Sequence, residues 1–241
     1  MLGGVRVVVV VPAYDEAPRI GRVLRGMPEE VDHVVVVDDA SRDATRDAAL
    51  AVGDGRVEVL VHAENLGVGA AIRTGYLRAQ ELAPGPSDAF VVMAGDGQMD
   101  PRDLPALVRP IARGEADYVK GCRFDWPAAR QRMPRARWLG GWGFSLLTSV
   151  AIGQRVRDTQ CGYTALSCGA SRRVDLGGLW PGYGYPNDLL GQLAARRMRI
   201  VEVPVRPVYA DEVSRLRWRH LPDIGWLVAR AWLRRREARS D

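Results

Sequence analysis

From Val5 to Val11 the chain reads Val-Arg-Val-Val-Val-Val-Val, a β-branched run with a single polar break. A strand wetted on one side alternates apolar and polar residues, so an apolar run marks a strand buried on both faces, the usual state in a parallel sheet covered by helices. The pattern then repeats. Ile20, Val23, Leu24 and Met27 fall at helical spacing, and His33 to Val37 is a second valine strand. Ala44 to Val52 reads as a short helix that Asp43 can cap, Val57 to Val61 as a third strand and Val68 to Leu82 as a helix. Ala89 to Met93 reads as a fourth strand, and Asp103 to Ile111 as a helix interrupted near Pro105 and Pro110. Such alternation builds βαβ units around a mostly parallel sheet. Beyond it the rhythm is lost. Asp117 to Lys120 is a short strand, Arg123 to Arg137 a Pro- and Arg-rich loop, and Trp138 to Ile152 a helix apolar nearly all round. Asn187 to Met198 is a helix, Arg199 to Val205 a strand, and Leu221 to Arg236 a last helix with a basic end.

Composition excludes several classes. With 47% apolar and 26% charged residues in 241, the chain is a globular domain rather than a disordered or collagen-like one. The 34 basic residues exceed the 29 acidic ones by five, and only Lys120 is a lysine; the arginine excess reads as genome base composition, and nucleic acid is not an expected partner. Cys122, Cys161 and Cys168 are an odd set without CxxC spacing, which points to a reducing compartment and away from a zinc site. His33, His62 and His220 stand singly, as surface or core residues do. No basic leader precedes the first strand, and Trp138 to Gly153 falls short of the ~20 apolar residues of a spanning helix. A cytoplasmic location is expected, in solution or peripheral on the cytosolic membrane face.

Ligands of open α/β sheets bind beyond the carboxyl ends of the strands. Those ends carry Pro12-Ala13-Tyr14-Asp15-Glu16, Asp38-Asp39-Ala40-Ser41, Glu64-Asn65-Leu66-Gly67-Val68-Gly69, Ala94-Gly95-Asp96-Gly97-Gln98-Met99-Asp100-Pro101 and Gly121-Cys122-Arg123. Acids and amides therefore crowd one rim, beside glycines that admit close backbone approach. A dinucleotide-binding fold would place G-x-G-x-x-G directly after the first strand. Here that loop is Pro-Ala-Tyr-Asp-Glu, which excludes dinucleotide binding.

The same segments, with Val-Asp-Asp-Ala-Ser-Arg-Asp-Ala-Thr and Gly-Cys-Arg-Phe, resemble family 2 glycosyltransferases of the GT-A fold, and within them the dolichyl- or polyprenyl-phosphate mannosyltransferase group, from about Val5 to Leu216. The resemblance implies a Rossmann-like, mostly parallel sheet flanked by helices, with a C-terminal helical appendage. It implies inverting transfer of a sugar from a nucleotide diphosphate with Mg or Mn. Carried over, Pro12, Tyr14 and Glu16 line base and ribose, and Val37 and Asp39 hold the base, Asp39 accepting from a ring N–H. Gly95, Asp96 and Gln98 belong to the metal-diphosphate loop, Arg123 meets phosphate beside the reacting centre, and Arg215 lies in a loop over the diphosphate. A hard divalent ion takes oxygen ligands and bridges phosphates, and arginine presents a planar fork to phosphate oxygens. Two positions depart from the family pattern: Ala94 replaces the first Asp of Asp-x-Asp, and Tyr209 stands where the family has an arginine.

A lipid phosphate attacks as an anion, whereas a hydroxyl acceptor needs a base. For the first, Arg123, Arg135 and Arg137 flank the Pro-rich loop before the apolar Trp138–Ile152 helix, a seat for a phosphate beside a lipid tail. For the second, Asp188 is the candidate base, its alternative role being stabilisation of a helix N-terminus, and Asp158 ranks below it, with a structural role as its first reading. A polyprenyl phosphate acceptor is the first expectation, and a sugar or small-molecule hydroxyl in solution the alternative. A non-catalytic nucleotide-sugar binder is the remote one. The expected organisation is a transferase domain over 1–210, with a nucleotide-sugar half to about 120 and an acceptor half from 121, then a basic loop and amphipathic helix over 211–241. In that tail Leu221, Ile224, Val228 and Ala231 share one side, with Trp218, Trp226, Trp232 and arginines interleaved, as in helices lying on anionic membranes.

Overall fold

The computed structural model describes residues 1–127, 135–208 and 221–240, the side chains of 135–140, 221 and 238–240 excepted. One seven-stranded sheet comprises β1 (Val7–Ala13), β2 (His33–Asp38), β3 (Val57–Val61), β4 (Ala89–Val92), β5 (Tyr118–Cys122), β6 (Thr164–Ser167) and β7 (Ile200–Pro204). The spatial order is β3-β2-β1-β4-β6-β5-β7. Every neighbouring pair is parallel except those of β6, which runs antiparallel to β4 and β5.

The valine run behaves as its pattern demands. Val7, Val9 and Val11 face a core built with α1 (Ala17–Arg25), α2 (Thr45–Leu50) and α4 (Leu104–Ala112). Val8 and Val10 face the opposite core, built with α3 (Val68–Leu82), α6 (Cys168–Ser171), α7 (Tyr185–Ala195) and the end of α5 (Arg135–Ile152). All five valines are completely buried, and each contributes about 1.5–3 kcal/mol of transfer free energy. The final helix, α8 (Leu221–Ser240), packs against α7 and α5.

Three details differ from expectation. α4 runs unbroken through both prolines: Pro105 sits in the first turn, where its missing N–H has no helical partner anyway, and Pro110 lies close to the end. Asp43 does accept the Thr45 N–H at 3.0 Å, although the residue flanking α2 is Ala44. Strand β6 and the short α6 have no counterpart in the sequence reading, because four residues, Thr-Ala-Leu-Ser, are too few to show a period.

Candidate active site

Register decides what meets at the rim. Ala13 lies opposite Asp38, and Asp38 opposite Val61, so β1, β2 and β3 end level. The reversed strand β6 begins at Thr164, opposite Val92 of β4 and Lys120 of β5. Its direction brings the segment before it, Asp158 to Tyr163, to the same rim as the loops that follow the parallel strands.

On the β1–β2 side the loops are laced by short polar contacts. Asp15 takes positive φ, its N–H donates to Ser41 Oγ at 3.0 Å, and its carboxylate accepts the Arg42 N–H at 2.8 Å. Glu16 is buried and ion-pairs with Arg19 at 3.0 Å, while Tyr14 stays half-buried beside it. Pro12 is buried and its carbonyl accepts the Gly95 N–H at 3.1 Å, tying the first loop to the fourth. Val37 requires a correction. Its side chain is completely buried in the core under α3, so it positions Asp38 and Asp39 rather than lining a base.

Asp39 is held by the segment that follows β3. Oδ1 accepts from Leu66 N at 2.9 Å and lies 2.7 Å from His62 Nδ1, and Oδ2 accepts from Gly67 N at 2.7 Å. The glycines that follow serve a close approach by the protein itself. A Cβ on Gly69 would lie 2.0 Å from the Trp180 carbonyl oxygen, and the Gly69 N–H donates to the Pro181 carbonyl at 2.7 Å. The N-terminus of α3 is thus capped by backbone of the Trp180–Pro181 segment.

In the fourth loop Asp96 Oδ1 accepts the Gln98 N–H at 3.0 Å across Gly97, which takes φ 75° as only glycine readily does. Asp96 and Gln98 provide a carboxylate and an amide oxygen. Among the described residues there is no group of three His, Cys, Asp or Glu able to cage a metal ion. Such a donor set suits a hard ion that arrives with a diphosphate and keeps water, as Mg does. The loop is anchored further on: Tyr163 Oη donates to the Asp100 carbonyl at 3.1 Å, and Met99 pairs with Pro207. Arg206 reaches Asp100 at 3.3 Å and Asp103 at 3.4 Å.

Arg123 follows β5 and is locked by Asp158. Its Nε and Nη2 donate to the two carboxylate oxygens at 2.8 and 2.9 Å, and its backbone N–H adds 3.0 Å. Burial pushes the Asp158 carboxyl up, but the Arg123 charge and hydrogen bonds outweigh it and, with Lys120, hold the group below the usual carboxylate range. Lys120 is fully buried, its ammonium donates to the Cys161 carbonyl, and burial pulls its pKa down.

Asp188 sits in the first turn of α7 but lacks the setting of a general base. It is 1% exposed; Oδ2 accepts the Trp180 N–H at 3.0 Å, and Oδ1 lies 2.6 Å from Arg234 Nη1 and 3.5 Å from Arg230 Nη1. The geometry makes it the anchor of α8. Arg215 and Tyr209 lie outside the described residues, as do the side chains of Arg135 and Arg137. Sequence reasoning missed His62, and it ranked Asp158 as a secondary candidate without finding its partner Arg123. The position of His62 immediately after β3 was the available signal for it; nothing local marked the pairing of Asp158 with Arg123, because it depends on the reversed strand β6.

A level rim of acids and amides over a parallel sheet with one reversed inner strand is the architecture of GT-A glycosyltransferases. Glucosyl-3-phosphoglycerate synthase from Mycobacterium tuberculosis, solved with Mn2+, UDP and phosphoglyceric acid, shares the fold with a TM-score of 0.69, covering 96% of this chain and 78% of that one at 22% identity. The glycosyl transferase family 2 profile matches residues 8–176, and the chain belongs to that family: it is a glycosyltransferase. It is 33% identical over 214 residues to an undecaprenyl-phosphate mannosyltransferase of Micrococcus luteus, covering 83% of this chain and 82% of that one. It is 28% identical over 217 residues to the UDP-N-acetylglucosamine–dolichyl-phosphate N-acetylglucosaminyltransferase of Methanococcus voltae, covering 84% and 85%.

Proposed function

We propose that this glycosyltransferase moves a hexose from a nucleotide-diphosphate sugar to a polyprenyl phosphate at an anionic membrane surface. The observation that carries the acceptor reading is helix α5, whose polar side faces inward and whose apolar side faces out. Ser145 and Thr148 are buried and bonded to Thr159 and Asn187, whereas Trp142, Leu146, Leu147 and Val150 are 51–66% exposed along the same helix. Among the described residues no helix is long and apolar enough to cross a membrane, so such a face suits lying on one. Charge complements it. Arg235 donates to the Val150 carbonyl at 3.1 Å, and Arg236 stacks on exposed Trp232, placing cations beside the apolar stripe.

The tail works differently from its sequence pattern. Ile224, Leu227 and Ala231 are turned into the protein, and Val228 is half-buried, so the regular stripe of α8 is core. Deleting residues 222–241 would uncover that core, and point changes on α5 are the cleaner probe. The wild-type protein should bind phosphatidylglycerol vesicles at low salt and leave them at high salt, each arginine near the surface adding about 1 kcal/mol. Trp142→Ser with Leu147→Asp should keep the melting temperature and lose the vesicles in a sedimentation assay. Retention of binding by that variant would remove α5 from the interface.

In the reaction, an acceptor phosphate oxygen attacks the anomeric carbon opposite the nucleotide. The bond from that carbon to the diphosphate oxygen breaks, and the nucleoside diphosphate leaves with the electron pair. The attacking phosphate is already anionic, so no side chain need take a proton, in keeping with the clamped state of Asp188. Asp96 and Gln98 would hold a Mg or Mn ion, which when bound neutralises charge growing on the leaving diphosphate. Arg123, oriented by Asp158, faces the phosphates. Asp96→Ala, shown folded by circular dichroism, should lose turnover by roughly a hundredfold, the scale of removing one transition-state charge stabiliser; wild-type turnover would sink the assignment of this loop. The whole reading is tested by incubating the protein with labelled nucleotide sugars, Mg or Mn, and polyprenyl phosphate in vesicles. Label in the organic phase is the expected result. Label passing only to water-soluble hydroxyl acceptors would replace it with the alternative, a transferase acting in solution.

A further inference from the structure

His62 was unassigned by its sequence pattern, yet it touches Asp39, the acid that the family resemblance assigns to the base. It follows β3, its backbone N–H donates to the Asp38 carbonyl at 2.9 Å, and its side chain is 10% exposed. Nδ1 lies 2.7 Å from Asp39 Oδ1, and Nε2 lies 3.0 Å from Thr74 Oγ1 on α3. An ionised carboxylate only accepts, so the proton of that contact belongs to Nδ1. The Thr74 hydroxyl can give or take a hydrogen bond, so it holds the ring plane from the far side.

The acceptor count at Asp39 follows. A carboxylate offers about four acceptor positions, two on each oxygen. Oδ1 is filled by His62 Nδ1 and Leu66 N, and Oδ2 receives Gly67 N. One position is left, on Oδ2. Uracil and thymine present a single ring N–H between two carbonyl oxygens, and one acceptor satisfies it. Guanine presents a ring N–H and an amine side by side, a pair that needs both oxygens of a carboxylate. Adenine and cytosine have no ring N–H on that edge.

We propose that His62 is a positioning residue that fills Asp39 Oδ1 and so restricts the donor to uridine or thymidine diphosphate sugars over guanosine ones. This rests on the reading of Asp39 as the base-holding acid, and the experiment separates the two. Calorimetry with UDP, dTDP and GDP, each with Mg, gives affinities without turnover. The wild-type protein should prefer UDP or dTDP over GDP by about tenfold or more, the scale of one buried donor left unpaired. His62→Leu opens a position on Oδ1 and should narrow that ratio severalfold, whereas His62→Asn, which keeps a donor near the place of Nδ1, should largely restore it. A wild-type preference for GDP, or a ratio untouched by His62→Leu in a folded protein, overturns the proposal. If Asp39→Ala changes no nucleotide affinity, the underlying reading of Asp39 fails instead.

Discussion

Arg123→Ala should lower the stability of the protein by about 3–5 kcal/mol, the usual result of removing one partner from a buried ion pair. Asp158 is 1% exposed, and the variant leaves its carboxylate with the backbone N–H of residue 123 and the nearby charge of Lys120. In a chain of this size the loss corresponds to a melting temperature lower by about 10 °C. The pH dependence has a definite sign. In the wild-type protein the Asp158 carboxyl is depressed, so its contribution is present above the unfolded value near 3.9 and is lost as pH falls through the folded value. In the variant, burial without Arg123 raises the folded pKa, and acidification stabilises it. The gap between the two proteins should therefore narrow in acid. Asp158→Asn should cost less, because the Arg123 side chain is 26% exposed and can turn to water. Turnover of the folded fraction of Arg123→Ala should fall further than nucleotide affinity, with Arg123→Lys recovering only part, because a point charge lacks the fork. An unchanged melting temperature would mean that the pair does not hold this loop.

The second large effect belongs to the clamp on Asp188. Replacing Arg230 and Arg234 together by alanine leaves a buried carboxylate with the Trp180 N–H and should cost a further 3–5 kcal/mol or so in urea denaturation. Asp188→Asn should be milder, since the two arginine side chains are 33% and 20% exposed and reach solvent. Under the lipid-phosphate reading, Asp188→Asn keeps its turnover per folded molecule. Complete loss of turnover with unchanged stability would return Asp188 to the role of base.

Much of the first half was legible because its signals are local and repeated. Helix α3 is read at its observed bounds, Val68–Leu82, and β3 at Val57–Val61, since each has its own period and flanking loop. Residues that follow parallel strands could be gathered on one rim from strand direction alone, so Asp39, Asp96 and Arg123 were found together. The pattern misled where a side of a helix had to be assigned to a neighbour. The apolar stripe of α8 and the exposed stripe of α5 look alike as strings; α8 turns its stripe onto α7, with Ala231 against Gly191, and α5 turns its hydroxyls inward instead.

Burial of both faces of the valine strands, and with it the sheet and its helices, was determined by the sequence itself, because a run of β-branched residues has no other stable place than between two apolar layers. The pairing of acids with their partners was decided only by the tertiary structure. Strand β6 is four residues long and carries no signal of its direction; its reversal carries Asp158 to Arg123 across 35 residues of chain. His62 and Asp39, 23 residues apart, meet because β2 and β3 end level, and the residues just beyond two level strand ends share one small volume.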